Sequence, residues 1–203
     1  MPDITSLILD EHTWFREQFA ALDDVQARSP LDVDSVRGLW GPLAARLDVH
    51  AIAEEQIFYP QLLAKGEDPE AETLDAIGDH NDIRDGLHSA ARHPVGTDEW
   101  WDAVGQARAA NDEHMAEEER EGLADFRLHA PAGLREALGA RFAEFLAAHP
   151  TPEGLDVSDK DPAGYVHTIE SNEANAVAAD AAAVSDEDGS RDVSLGIGSL
   201  RGR

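Results

Sequence analysis

Two short stretches hold residues that can do chemistry together: His50-Ala51-Ile52-Ala53-Glu54-Glu55 and His114-Met115-Ala116-Glu117-Glu118-Glu119. In each, a histidine precedes a glutamate by four residues. That spacing puts both side chains on one face of an α-helix, a turn apart. Two such turns facing each other can hold a metal. A single pair of this kind is also found as a surface His–Glu ion pair, worth only a few tenths of a kcal/mol. What separates the two readings is whether the pairs face a core, and that depends on the helices that carry them.

The first periodic segment runs from about Thr5 to Arg28, with Ile8, His12, Phe15, Phe19 and Leu22 on one stripe, the period of an amphipathic helix. Ser29-Pro30 ends it. Asp32 or Asp34 can cap a second helix, in which Val36, Trp40, Leu43, Leu47, His50, Glu54 and Ile57 keep the same alternation. Pro42 should kink this helix or set a later start, and Pro60 marks a distortion near its end. After the turn Gly66-Glu67-Asp68-Pro69, a third helix from about Glu70 to Arg92 carries Ile77, His80, Arg84 and Leu87 on one face. Thr97 or Asp98 can cap a fourth, where Val104, Ala107, Asn111, His114 and Glu118 share a face and the last turns reach Phe126 or Leu128. A shorter amphipathic helix follows around Leu134 to Leu146.

Long helices joined by short connections predict an all-α protein, an up-down-up-down four-helix bundle with an additional short C-terminal helix. Residues 1–150 hold it. From Thr151 to Arg203 Gly, Ser, Asp and Ala dominate and no apolar stripe persists, which predicts an acidic tail, disordered or loosely attached. Within it the Ala-rich stretch 172–184 is expected to be transiently helical. The chain also reads as a repeat: a helix with a lone histidine, His12 then His80, precedes one with the paired motif, His50 then His114, at separations of 38 and 34 residues. In antiparallel hairpins of that length each lone histidine sits at the depth of its partner.

Composition narrows the chemistry. With 42 acidic and 16 basic residues, a formal charge of -26, the chain is a poor partner for nucleic acid or anionic membrane. It has no cysteine, which excludes disulfides, Fe–S clusters and thiolate sites. No segment approaches the ~20 apolar residues of a membrane span, and the N-terminal residues lack a basic leader, so a cytoplasmic monomer is the expectation. Four imidazoles and two carboxylates on core-facing stripes suit iron, manganese or zinc. Glu54 and Glu118 in a core need a cation, because a buried carboxylate without a partner is strongly unfavourable.

The order His12, His50, Glu54, His80, His114, Glu118 resembles the hemerythrin-like (HHE cation-binding) proteins over about residues 5–128, and the run from His50 to Pro60 is similar to theirs. The resemblance implies a four-helix bundle around two non-haem, oxo-bridged iron ions that meet O2, peroxide or nitric oxide, with the four histidines as terminal ligands and Glu54 and Glu118 bridging. Ferritin-like di-iron proteins instead use Glu-x-x-His. This chain departs from the O2 carriers of the family in two places. They have a histidine where it has Arg84, and an aspartate five residues after the last histidine where it has Glu119. Arg84 either pairs with an inward carboxylate, stabilises an anionic oxygen species or extends to water. Tyr59 is an extra ligand or a hydrogen-bond donor only if a distortion at Pro60 turns it inward, since nine residues from His50 is half a turn out of phase. The adjacent Glu118 and Glu119 compete for one role. His88, His93, His129, His149 and His167 read as surface or helix-end residues.

One histidine fewer than the carriers predicts more than one exchangeable position. The expectation is therefore a protein that binds or reacts with small oxidants in an oxidative-stress or redox-sensing role, enzymatic if it handles peroxide or nitric oxide by turnover. The competing expectations are an iron or cation storage module, and a structural bundle in which the histidines are hydrogen-bonded filler.

Overall fold

The computed structural model describes residues 3–67, 69–172 and 174–175. They are helical throughout, with no strand among the described residues. The helices are α1 (Ile4–Gln26), α2 (Val33–Ala53), a π-helical turn (Glu54–Phe58), α3 (Tyr59–Lys65), α4 (Pro69–Ala90), α5 (Asp98–Arg120), α6 (Gly122–His129) and α7 (Ala132–Ala148). No helix among the described residues is long and apolar enough to cross a membrane. The chain divides into one unit up to Val166 and another from His167. Of the Ala-rich stretch 172–184 expected to be transiently helical, residues 172, 174 and 175 are helical and the rest lies outside the described residues.

Local chemistry sets the helix starts. Asp3 caps α1 by accepting from the Ser6 N–H at 3.2 Å, Asp32 caps α2 through the N–H groups of Asp34 and Ser35, and Thr97 Oγ1 caps α5 through Trp100. Each satisfies an N–H that has no partner within its own helix. α2 begins at Val33, nine residues ahead of Pro42, so Pro42 sits inside the helix and does not set a later start. The expectation of an unbroken fourth helix is corrected: α5 stops at Arg120, Glu121 takes φ −113° and ψ −81°, and α6 begins afresh at Gly122. An apolar stripe survives such a break because Leu123 and Phe126 still face inward.

Two apolar clusters fill the interior, and a polar layer separates them. One contains Ile4, Ile8, Ile57, Phe58, Leu62, Ile77, Leu123, Phe126 and Phe142, and the other Phe15, Phe19, Trp40, Leu43, Leu47, Ile83, Leu87, Trp100 and Val104. α1 passes from the first cluster at Ile8 to the second at Phe15, changing over at His12; α2 runs back from Leu47 past His50. α4 crosses from Ile77 to Ile83 at His80; α5 lines the second cluster from Trp100 to Met115, with His114 near its end, and Leu123 and Phe126 of α6 rejoin the first. The four histidines thus occupy one slice, with low-dielectric layers on both sides. α4 and α5 pack together more extensively than any other pair. Gly86 permits this, since a Cβ there would stand 2.6 Å from the Ala107 backbone nitrogen.

The chain after α7, expected to be loosely attached, returns to the helices before Val166. Asn81 of α4 exchanges two hydrogen bonds with the Lys160 backbone, at 2.8 and 2.9 Å. The segment docks through isolated residues, Leu155 and Tyr165 on the first apolar cluster and Lys160 on Asn81, with no regular spacing for hydrophobic periodicity to detect.

Candidate metal centre

His12, His50, Glu54, His80, His114 and Glu118 are all buried in the polar slice. Their donor atoms form two overlapping sets. His12, His50 and Glu54 offer atoms within 4.8 Å of one another, and so do Glu54, His80 and His114. Glu54 is common to both. Its Oε1 lies 2.9 Å from His50 Nε2, and its Oε2 lies 3.3 Å from His80 Nε2 and 3.9 Å from His114 Nε2. Glu118 Oε2 lies 3.4 Å from His12 Nε2, and His80 Nε2 and His114 Nε2 are 3.2 Å apart.

These residues fit a cation on two counts. Nitrogen or oxygen donors bound at about 2.1 Å to one ion stand about 3 Å apart, the spacing most of these pairs have. Second, His12 Nε2, both nitrogens of His50, both oxygens of Glu54 and Glu118 Oε2 are buried without a hydrogen bond of good geometry, although the ion-pair distances are short. Buried polar atoms are nearly always hydrogen-bonded, so donors left without such bonds suit a shared cation better than pairing among themselves. Charge agrees, because Glu54, Glu55 and Glu118 are buried against one buried guanidinium, Arg84.

Behind three of the imidazoles stands a carboxylate. Glu119 Oε1 meets His12 Nδ1 at 3.0 Å, Glu55 Oε1 meets His80 Nδ1 at 3.0 Å, and Asp79 Oδ2 lies 3.5 Å from His114 Nδ1. A carboxylate on Nδ1 keeps the proton there and leaves Nε2 as the inward donor. This separates the two neighbouring glutamates: Glu118 faces the centre from the Nε2 edge of His12, and Glu119 holds the opposite edge while pairing with Arg16 at 2.9 Å.

The electrostatics favour positive charge here. Burial opposes the charged form of His12, yet Glu118 and Glu119 outweigh it and raise its pKa. Burial likewise opposes a charged His114, but Asp79 and Glu54 raise it to about 10. Glu54, despite complete burial, is held well below the usual carboxylate range by His50, His114 and His80. The attraction that draws protons onto these imidazoles draws a cation equally well.

Tyr59 reaches the slice, and the π-helical turn is the reason. Pro60 has no N–H and its ring crowds the carbonyl four residues back. The ladder widens just before it, and the Tyr59 N–H bonds to the Glu54 carbonyl, five residues away. The extra residue in this turn shifts the helix phase, so Glu55 is buried beside Glu54 and the Tyr59 hydroxyl donates to Glu118 Oε1 at 2.9 Å. Burial, then the charges of Glu118 and Glu54, push the phenol well above its ordinary pKa, so it stays a neutral donor. Arg84 pairs with an inward carboxylate, Glu55, at 2.6 Å.

A pocket between α4, α5 and α6 opens on this slice. Tyr59, His114 and Glu118 form its floor, and Glu72, Asp75, Asp79, Glu117 and Glu121 line its walls. His88, His129 and His167 are exposed.

A buried His/carboxylate slice across helices defines a cation-binding helical protein. The chain matches the family model of the hemerythrin HHE cation binding domain over residues 3–126, and it belongs to that family. No curated protein and no solved structure matches it.

Sequence reasoning missed Glu55, Asp79, Lys160 and Tyr165. Glu55 is out of phase on a regular α-helix, and Pro60 was the one signal that could have moved it inward. Asp79 carried a usable signal, since it directly precedes His80 and faces the neighbouring helix. Lys160 and Tyr165 had none within the periodic segments.

Proposed function

We propose that this chain is a non-haem di-iron protein that binds or reacts with small oxidants, peroxide, O2 or nitric oxide, in an oxidative-stress or redox-sensing role. The observation that supports it most is Glu54, whose two oxygens serve two triads at once. His12 and His50 with Glu54 would hold one iron, and His80 and His114 with Glu54 the other, with Glu118 beside His12. Bound iron supplies one-electron redox chemistry toward such molecules. α1, α2, α4 and α5 form the up-down-up-down four-helix bundle of this reading, supported by the passage of α1, α2 and α4 between the two apolar clusters and the packing of α5 along α4. All six residues come from one chain, so a monomer suffices.

The protein's own groups prepare the site. Glu119, Glu55 and Asp79 fix the Nδ1 protons and aim the Nε2 lone pairs inward. Tyr59 keeps a neutral hydroxyl on Glu118, a proton held at the edge of the pocket. The apolar layers exclude water from both sides of the slice, which strengthens each charge interaction inside it. Arg84 is engaged by Glu55, so the open side is left to small neutral molecules arriving through a carboxylate-lined pocket.

That pocket favours a second reading, storage or delivery of iron or another cation without turnover. Iron-loaded protein that consumes peroxide through many equivalents while keeping its metal supports the first reading. Metal surrendered to a mild chelator, with no peroxide consumed, supports the second and overturns the first.

A further inference from the structure

The family match ends at residue 126, yet a later segment touches the support of the centre. Residues 155–166 lie against α4 and the π-helical turn. Asn81, next to His80, fixes the register through its two bonds to the Lys160 backbone. From there Lys160 Nζ reaches Glu55 Oε2 at 2.9 Å, with its own side chain 26% exposed and that of Glu55 2%. Glu55 Oε1 is already engaged by His80 Nδ1 and Arg84, so Lys160 is the cation on its other oxygen.

Tyr165 supplies a second attachment at the same residue, for a reason that lies in the backbone. The Glu55 carbonyl would ordinarily accept from the Tyr59 N–H, but in the π-helical turn that N–H goes to Glu54. The next N–H along would be that of Pro60, which has none. A buried carbonyl without a donor is unfavourable, and the Tyr165 hydroxyl provides the donor. One proline thus both turns Glu55 inward and leaves its carbonyl open to the later segment.

We propose that Lys160 and Tyr165 are positioning residues for the metal centre, acting through Glu55 on His80, so that the segment 155–166 governs how firmly the His80–His114 side holds its cation. This rests on the two-cation reading above. The side-chain polar contacts of Lys160 and Tyr165 end on Glu55, which supports His80 and not His12 or His50, so the His12–His50 side should not respond, an asymmetry that general loosening of the fold would not produce.

The test uses the full chain loaded with ferrous iron and challenged with a colorimetric ferrous chelator, for wild type, Lys160→Met, Lys160→Arg, Tyr165→Phe and the control Arg37→Met, an exposed residue paired only locally with Asp34. Loss of an outer-shell partner commonly weakens metal holding about 10- to 100-fold. We expect one of two irons to leave about 3- to 10-fold faster in Lys160→Met and Tyr165→Phe, one step further out. The second iron should keep its wild-type rate, Lys160→Arg should restore the first, and Arg37→Met should match wild type. Release of both irons at wild-type rates in both variants overturns the inference, as does equal acceleration of both. A wild-type chain that binds no iron refutes the two-cation reading instead, which separates the two failures.

Discussion

Replacing Glu54 by glutamine keeps the side-chain volume and removes one charge where the two triads meet. The residue is fully buried, with imidazole nitrogens at 2.9, 3.3 and 3.9 Å. At an effective dielectric of about 20, a unit charge about 3 Å away is worth about 5 kcal/mol before desolvation. Removing one member of a buried pair costs on the order of 3–5 kcal/mol. Shared between two cations, the loss is about 2 kcal/mol at each, or about 30-fold in affinity. Thermal melts read this directly. Ferrous iron at about 100 times the wild-type Kd stabilises the wild type by about 2.7 kcal/mol at each of two sites, about 5.4 kcal/mol together, a rise of about 11–22 °C for a domain of this size. The same iron concentration is only about three times the variant's Kd, worth about 0.8 kcal/mol at each site, about 1.6 kcal/mol together, and about 3–6 °C. A Glu54→Gln chain whose melting rises as far as the wild type's would refute the reasoning.

Three further outcomes follow from the packing and caps. Tyr59→Phe leaves Glu118 Oε1 without its donor at 2.9 Å and should cost about 1–3 kcal/mol in urea unfolding while leaving metal stoichiometry intact; lost stoichiometry would instead make Tyr59 a ligand. Gly86→Ala drives a methyl to 2.6 Å from the Ala107 nitrogen and should destabilise by about 1–3 kcal/mol, where a neutral result would mean that α4 and α5 separate freely. Asp3→Ala removes the α1 cap and should cost about 1 kcal/mol at neutral pH. Burial works against the charge of Asp3, but Thr5, Ser6 and Arg135 hold its pKa below 3.8. A depressed carboxylate stabilises above its unfolded pKa and stops doing so as pH falls through its folded one. The difference between wild type and variant should therefore be full above about pH 4 and close at lower pH, and a gap that persists into strong acid would contradict the cap's charge.

The stripes showed where the histidines sit because amphipathic periodicity and burial report the same thing. His12, His50, His80 and His114 each replace an apolar residue in a regular pattern, and the polar slice is their sum. Caps at Asp32 and Thr97 were legible from side-chain chemistry alone. What escaped was whatever broke the period. The π-helical turn moves Glu55 and Tyr59 by a fraction of a turn, and only Pro60 hints at it. The break at Glu121 leaves the apolar pattern nearly intact, so nothing in the period marks it. Glu55, Glu119 and Asp79 are ordinary helix residues in a chain rich in carboxylates, and their role depends on which edge of an imidazole they touch. Lys160 and Tyr165 act across more than a hundred residues of sequence, from a segment without a stripe, so only the folded chain brings them to Glu55.

The central claim is that the slice of four histidines and two glutamates holds two irons. Metal analysis of the purified, iron-loaded chain, together with its optical spectrum, tests it most directly. The account predicts about two irons per chain and the absorption of a coupled ferric pair, with both irons held about 30-fold more weakly in Glu54→Gln. Protein that takes up no iron, or an ion held in Glu54→Gln as tightly as in the wild type, would contradict it.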